Sequence, residues 1–117
     1  MRQGLSTYAH EKLLVAVDSL ATGPGDVRER LLHAYLSFPM LSESNFPTHL
    51  RKDWRWFIDQ MTRYGPLEDH NGKVRCGSVE NTMRRIRRST GVKIAQKLVF
   101  LHHELEFYFA EQTRKPS

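Results

Sequence analysis

The stretch "VKIAQKLVFLHHELEFYFAEQ", residues 92–112, decides the fold class. Ile94, Leu98, Leu101 and Leu105 recur at spacings of three and four, and Tyr108 and Phe109 continue the line. That is the period of an α-helix with one apolar stripe. A stripe this long must be buried against other elements, and the rest of the chain supplies helices to do it.

Working backward, Val79, Met83 and Ile86 form the inward side of a preceding helix. Ser78 is its expected cap, and Thr90-Gly91 its expected end or sharp bend. A third helix starts near Pro47, capped by Asn45 or a neighbour, with Leu50, Trp54, Phe57, Ile58, Met61 and Tyr64 inward. Gly65-Pro66 stops it. The first helix spans about Ser6 to Ala21 and buries Leu13, Ala16, Val17 and Leu20; Gly23 and Gly25, both expected at positive φ, and Pro24, which cannot continue a helix, end it. Asp26 caps a second helix that runs to Phe38, with Val27, Leu31, Ala34, Tyr35 and Phe38 inward and Pro39 breaking it. Residues 40–45 read as a linker. Residues 65–77 read as either a plain loop or a short two-stranded hairpin around a type I′ turn at Asn71-Gly72. The expectation is an all-α bundle of about five helices in one domain spanning 1–117, with residues 112–117 frayed.

The totals fit that class. A chain of 117 residues with 39% hydrophobic and 10% aromatic residues has material for one core. One cysteine, Cys76, excludes an intrachain disulfide. There is no signal-peptide pattern, and no apolar run approaches the roughly 20 residues of a membrane span. A soluble cytoplasmic protein without a membrane partner is expected. The formal charge of +5 favours anionic partners without choosing among nucleic acid, acidic protein and anionic lipid.

Two features bear on function. The first is the outward side of the last helix. Phe100 and Phe107 are seven apart, so they share a line, and both point away from the apolar stripe; Val99 and His103 lie beside them. A helix apolar on two sides is either central in its fold or paired with a partner. The leading expectation is therefore an interaction or regulatory module that binds itself or another protein through Val99, Phe100, His103 and Phe107. Trp56 makes a related case: it lies roughly 200° from the buried Trp54 and is either covered by a neighbouring segment or an anchor for a base or a partner.

The second feature is "ENTMRRIRRSTG", residues 80–91. Read as one helix over 79–90, it places Arg84, Arg85 and Arg88 opposite the apolar side and Arg87 at its edge. Glu80 stands four before Arg84, the favourable order for an ion pair. A solvated charged face explains this fully. Yet Glu80 is the lone acidic residue from Lys73 to Lys97. The alternative reading is thus phosphate contact with DNA or RNA through Arg84, Arg85, Arg87, Arg88, Lys93 and Lys97, without base reading.

Catalytic chemistry has little footing. "HHELE" at 102–106 places His102 and Glu106 one turn apart, but the second His of HExxH is absent. A hydrogen-bonded structural role for His102 is the plainer reading, with His10 or His33 the candidates for a distant partner. Cys76 precedes a helix cap and follows Arg75, a setting that lowers a thiol pKa, but no Cys–His pair is visible. No Gly-rich phosphate loop and no paired carboxylates stand out. Neither a catalytic residue, a metal site nor a cofactor is expected.

Overall fold

In a computed structural model, which describes residues 6–37 and 41–114, the chain is an all-α bundle with one small hairpin. The helices are α1 (Tyr8–Thr22), α2 (Val27–Tyr35), α3 (Arg51–Met61), α4 (Ser78–Arg85) and α5 (Arg88–Arg114). The hairpin strands are β1 (Leu67–Glu68) and β2 (Val74–Cys76). Phe38, Pro39 and the residues beyond Arg114 carried expectations that lie outside the described residues. Thr113 and Arg114, expected to fray, continue α5.

The core forms where the apolar stripes meet. Ala9, Leu13, Ala16 and Leu20 of α1 lie against Leu31 and Ala34 of α2 and against Ile94, Leu98, Leu101 and Leu105 of α5. Helix α5 packs on α1, α2 and α3, so it is the common wall of the bundle. On the α3 side, Phe46, Trp54 and Phe57 stack in series, with ring centroids 4.7 and 5.6 Å apart. Phe46 is fully buried although it belongs to no helical stripe. It follows a 3-10 turn at Glu43–Asn45 inside the expected linker. A second such turn, Thr48–Leu50, leads from Pro47 into α3.

Helix ends show how local chemistry sets the elements. Asp26 caps α2 in a reciprocal box with Glu29. Gly25 there has φ +84°, a conformation a side chain disfavours. Gly23, expected at positive φ, has φ −71°; glycine is required there instead because a Cβ would lie 2.7 Å from the Ser19 carbonyl oxygen at the tight exit from α1. Residues 65–77 resolve as the hairpin, with Leu67 opposite Cys76 and a bulge beside it. Its turn is not type I′, which needs positive φ at both central residues; only Gly72 has it, at +79°. The Asp69 carboxylate instead accepts from the Asn71 and Lys73 amides and holds a three-residue loop.

The main departure is the α4–α5 junction. The expected single helix over 79–90 stops at Arg85, Ile86 is extended (φ −76°, ψ 158°), and α5 already begins at Arg88. Arg28 donates to the Ile86 carbonyl at 3.0 Å, pairing a helix-end acceptor that the helix itself leaves unmet. Gly91, expected to end a helix, lies inside α5. Here a Cβ would come within 2.9 Å of Val27 Cγ1 and 3.2 Å of Arg28 Cγ. Its glycine serves the close crossing of α2 and α5.

Helix α4 is capped by Gly77 rather than Ser78, whose side chain makes no cap bond. Tyr64, expected on the α3 stripe, lies beyond that helix and is exposed. Two polar residues of α4 secure its turn. Asn81 donates to the carbonyls of Tyr64 and Gly65, both at 3.0 Å, and Thr82 Oγ1 accepts from the Tyr64 amide.

Candidate interaction face of the last helix

Helix α5 is 27 residues long and has two unlike sides. Its inner side buries Gly91, Ile94, Leu98, Leu101, His102 and Leu105. Tyr108 and Phe109 are half-buried at its end. Its outer side carries Phe100 at 43% and Phe107 at 61% exposure, with His103 exposed between them. Val99 is half-buried and packs against the core. With Val92 and Ala95 it lines an open groove of about 460 Å³ whose other wall is Val17, Leu20 and Ala21 of α1.

Trp56 joins this surface from α3. Lys97 lies 5.5 Å from the Trp56 ring centroid and 5.1 Å from that of Phe100, so one cation bridges the two rings. Asp53 fixes that cation at 2.7 Å. Trp56 keeps 38% exposure. The ring, the ammonium and Phe100 therefore form one amphipathic patch. Sequence spacing identified Trp56 and Phe100 separately; their union depends on the α3–α5 contact, which spacing does not encode.

The basic residues are dispersed more than the sequence suggests. Arg84, Arg85, Arg87, Arg88 and Lys93 are exposed. Arg84 pairs with Glu80 at 3.0 Å, as expected from the four-residue spacing. Arg85 lies over the Tyr64 ring and donates to Asn81. Arg88 stands 3.8 Å from Asp26, and Lys97 belongs to Asp53 on another side of α5. Arg87 and Lys93 have no acidic partner among the described residues. Carboxylates from α2 and α3 thus supply the negative charge that the local sequence lacks. The recess nearest the arginines is lined by Asp26, Glu29 and Glu80 as well as Arg28 and Arg84, an unfavourable lining for a phosphate.

The Asp26–Arg28 pair escaped sequence reading. Arg28 spans the Asp26 carboxylate with Nε and Nη2 while Nη1 reaches Ile86. The Arg28 hydrogen bond, helped by two backbone amides, lowers the Asp26 pKa to about 2.

His102 meets His10 of α1 face to face, with centroids 5.3 Å apart and planes within 8°. The partner is the His10 anticipated from the sequence, but the contact is stacking. Neither ring nitrogen of His102 has a hydrogen-bond partner among the described residues, contrary to the expected hydrogen-bonded histidine. Burial pushes its pKa below the ordinary value; Glu106 opposes this, and His10 and His103 add to it. His33 is exposed on α2. Among the described residues no group of three or more His, Cys, Asp or Glu side chains is placed to hold a metal ion. Cys76 is buried, and burial, followed by Glu80, raises its thiol pKa, the reverse of the lowering expected from Arg75 and the helix start. Among the described residues no helix is long and apolar enough to cross a membrane. Comparison with protein-family models, curated proteins and solved structures finds no match to this chain.

Proposed function

We propose that this chain is a non-enzymatic interaction module that self-associates through the outer side of α5, with Phe100 and Phe107 central and Val99 and His103 beside them. The observation that carries this reading is the exposure of Phe107 and Phe100 on one line of a helix whose opposite side is fully packed. Trp56 widens the apolar area, and the Lys97 bridge holds it in place at low entropic cost. Aromatic residues in such patches carry a large share of binding energy. Light scattering on the purified protein tests the reading. A dimer is expected, and Phe107→Glu should convert it to monomer; a wild-type monomer at high concentration rejects it.

A second reading is phosphate contact with DNA or RNA through Arg84, Arg85, Arg87, Arg88, Lys93 and Lys97. It is favoured by the exposure of all four arginines around the α4–α5 junction. The carboxylates of Asp26 and Asp53 beside Arg88 and Lys97 weigh against it. Binding of generic duplex at low salt, lost steeply as salt rises and abolished by Arg84→Glu with Arg88→Glu, would support it. Absence of binding at low salt ends it.

A further inference from the structure

The order of charges along α5 says how two copies would meet. At 100° per residue, Lys93, Phe100, Glu104, Phe107 and Glu111 fall within about 60° of one another on the outer side, with Lys97 at the edge. The N-terminal part of that line is basic, and Glu104 and Glu111 bring acidic charge to its C-terminal part, where Arg114 pairs with Glu111.

We infer that the outer side of α5 binds the same surface of a second copy with the two helices antiparallel, about a two-fold axis passing between His103 and Glu104; this rests on the self-association proposed above. In that arrangement Phe100 faces the partner's Phe107, and His103 faces the partner's Glu104. Lys93 and Lys97 lie on either side of the level of the partner's Glu111, with the partner's Arg114, which pairs with that Glu111, level with Lys93. Each contact occurs twice, as an isologous interface requires. A parallel, in-register pair would instead set Lys93, Lys97, Glu104 and Glu111 each against its own copy, four like-charge contacts that disfavour it. The helix dipoles, opposed in an antiparallel pair, favour the same arrangement.

The structure also provides the wall on which the contact closes. Trp56 stands beside Phe100, so the partner's Phe107 approaches a surface made of both rings and the Lys97 ammonium. Lys97 is already engaged by Asp53, whereas Lys93 is exposed and has no acidic partner among the described residues. Lys93 is therefore the cation whose pairing between copies can be read most cleanly. Glu111 bonds Arg114 within its own helix and remains near the surface.

A charge-exchange experiment on the full chain tests the orientation. Lys93→Glu and Glu111→Lys are made separately, helicity is checked by circular dichroism, and association is measured by sedimentation equilibrium. Each variant alone should raise the dimer Kd about 5- to 10-fold, since two repulsive contacts replace two attractive ones. An equimolar mixture should restore affinity to about twofold of wild type, because each altered residue then opposes its complement. If the mixture is no tighter than the single variants while Phe107→Glu still abolishes the wild-type dimer, the antiparallel arrangement is overturned and the self-association reading stands. A wild-type chain that stays monomeric overturns both.

Discussion

The α4–α5 junction and the outer side of α5 each looked, in sequence, like a surface in need of a partner. At the junction the need is met in part within the molecule. Asp26, the cap of α2, lies against Arg28 and Arg88, Glu80 pairs with Arg84, and Asp53 of α3 holds Lys97, while Arg87 and Lys93 have no acidic partner among the described residues. On the outer side of α5 the need is not met: Phe100 and Phe107 keep much of their surface, and Trp56 adds to it. Charge and apolar area behave differently here. A charge can be balanced by one carboxylate at 3 to 4 Å, whereas an aromatic ring is covered only by area. An imbalance of charge along the chain is therefore weaker evidence of an external partner than exposed aromatic residues on a helix that is packed on its other side.

The comparison breaks hardest at the aromatic residues. Phe100→Glu with Phe107→Glu should weaken self-association by roughly 30-fold or more for each ring. Measured at concentrations below the wild-type dimer Kd, the same variant should change unfolding free energy by no more than about 0.5 kcal/mol, because both side chains are exposed in the single chain. Sedimentation across a concentration series, and urea unfolding at its dilute end, read both numbers. A large loss of stability would assign the rings to the core.

The next largest effect belongs to the junction side. Gly91→Leu should destabilise the fold by about 1–3 kcal/mol in urea titration, since the added side chain enters the space of Val27 and Arg28. Gly91→Ala should cost less, because alanine gains about 1 kcal/mol of helix propensity against the clash. If Gly91→Leu were neutral, the α2–α5 crossing would be looser than described.

A smaller, pH-dependent effect comes from His102, with the neutral ring favoured in the folded chain. Its folded pKa lies below the ordinary 6.5, so the unfolded chain binds more protons between the two values. The stability from this site is present above about pH 6.5 and is lost as pH falls through the folded pKa. The groups around it are His10 on α1 and His103 and Glu106 on α5. Thermal melts across that range should show the fall, and His102→Phe should flatten it.

Smallest of all, Arg84→Gln should shift stability by less than about 0.5 kcal/mol, as expected for an exposed pair. An effect several times larger would return the arginines to a structural role.

Much of the fold was legible because its signals are periodic. The stripes of α1, α3 and α5 and the Asp26 cap follow from spacing and side-chain chemistry alone. Phe46 was not, because it is buried by two 3-10 turns that leave no repeat. The break at Ile86 was not either: nothing in "RRIRR" marks it, and its carbonyl is paired by Arg28, 58 positions earlier. Gly91 carried the right residue type but the opposite meaning, since a glycine that ends a helix and a glycine that admits a neighbour look alike in sequence. The candidate face shows the same division. Phe100 and Phe107 were visible by spacing, while the Trp56–Lys97–Phe100 contact depends on which helices lie side by side.

The place of α5 in the chain also bears on synthesis. Among the described residues it follows every other helix, yet α1, α2 and α3 all pack on it. During translation, Leu13, Ala16 and Leu20 emerge long before Ile94, Leu98 and Leu101 are made. Until then the nascent chain holds an unfinished apolar surface, the condition in which chaperones and premature association compete with folding. Closing contacts so distant along the chain also carries a larger loop entropy than joining neighbouring helices. A messenger cut short before the codon for Arg88 would encode α1–α4 without the wall on which α1, α2 and α3 pack.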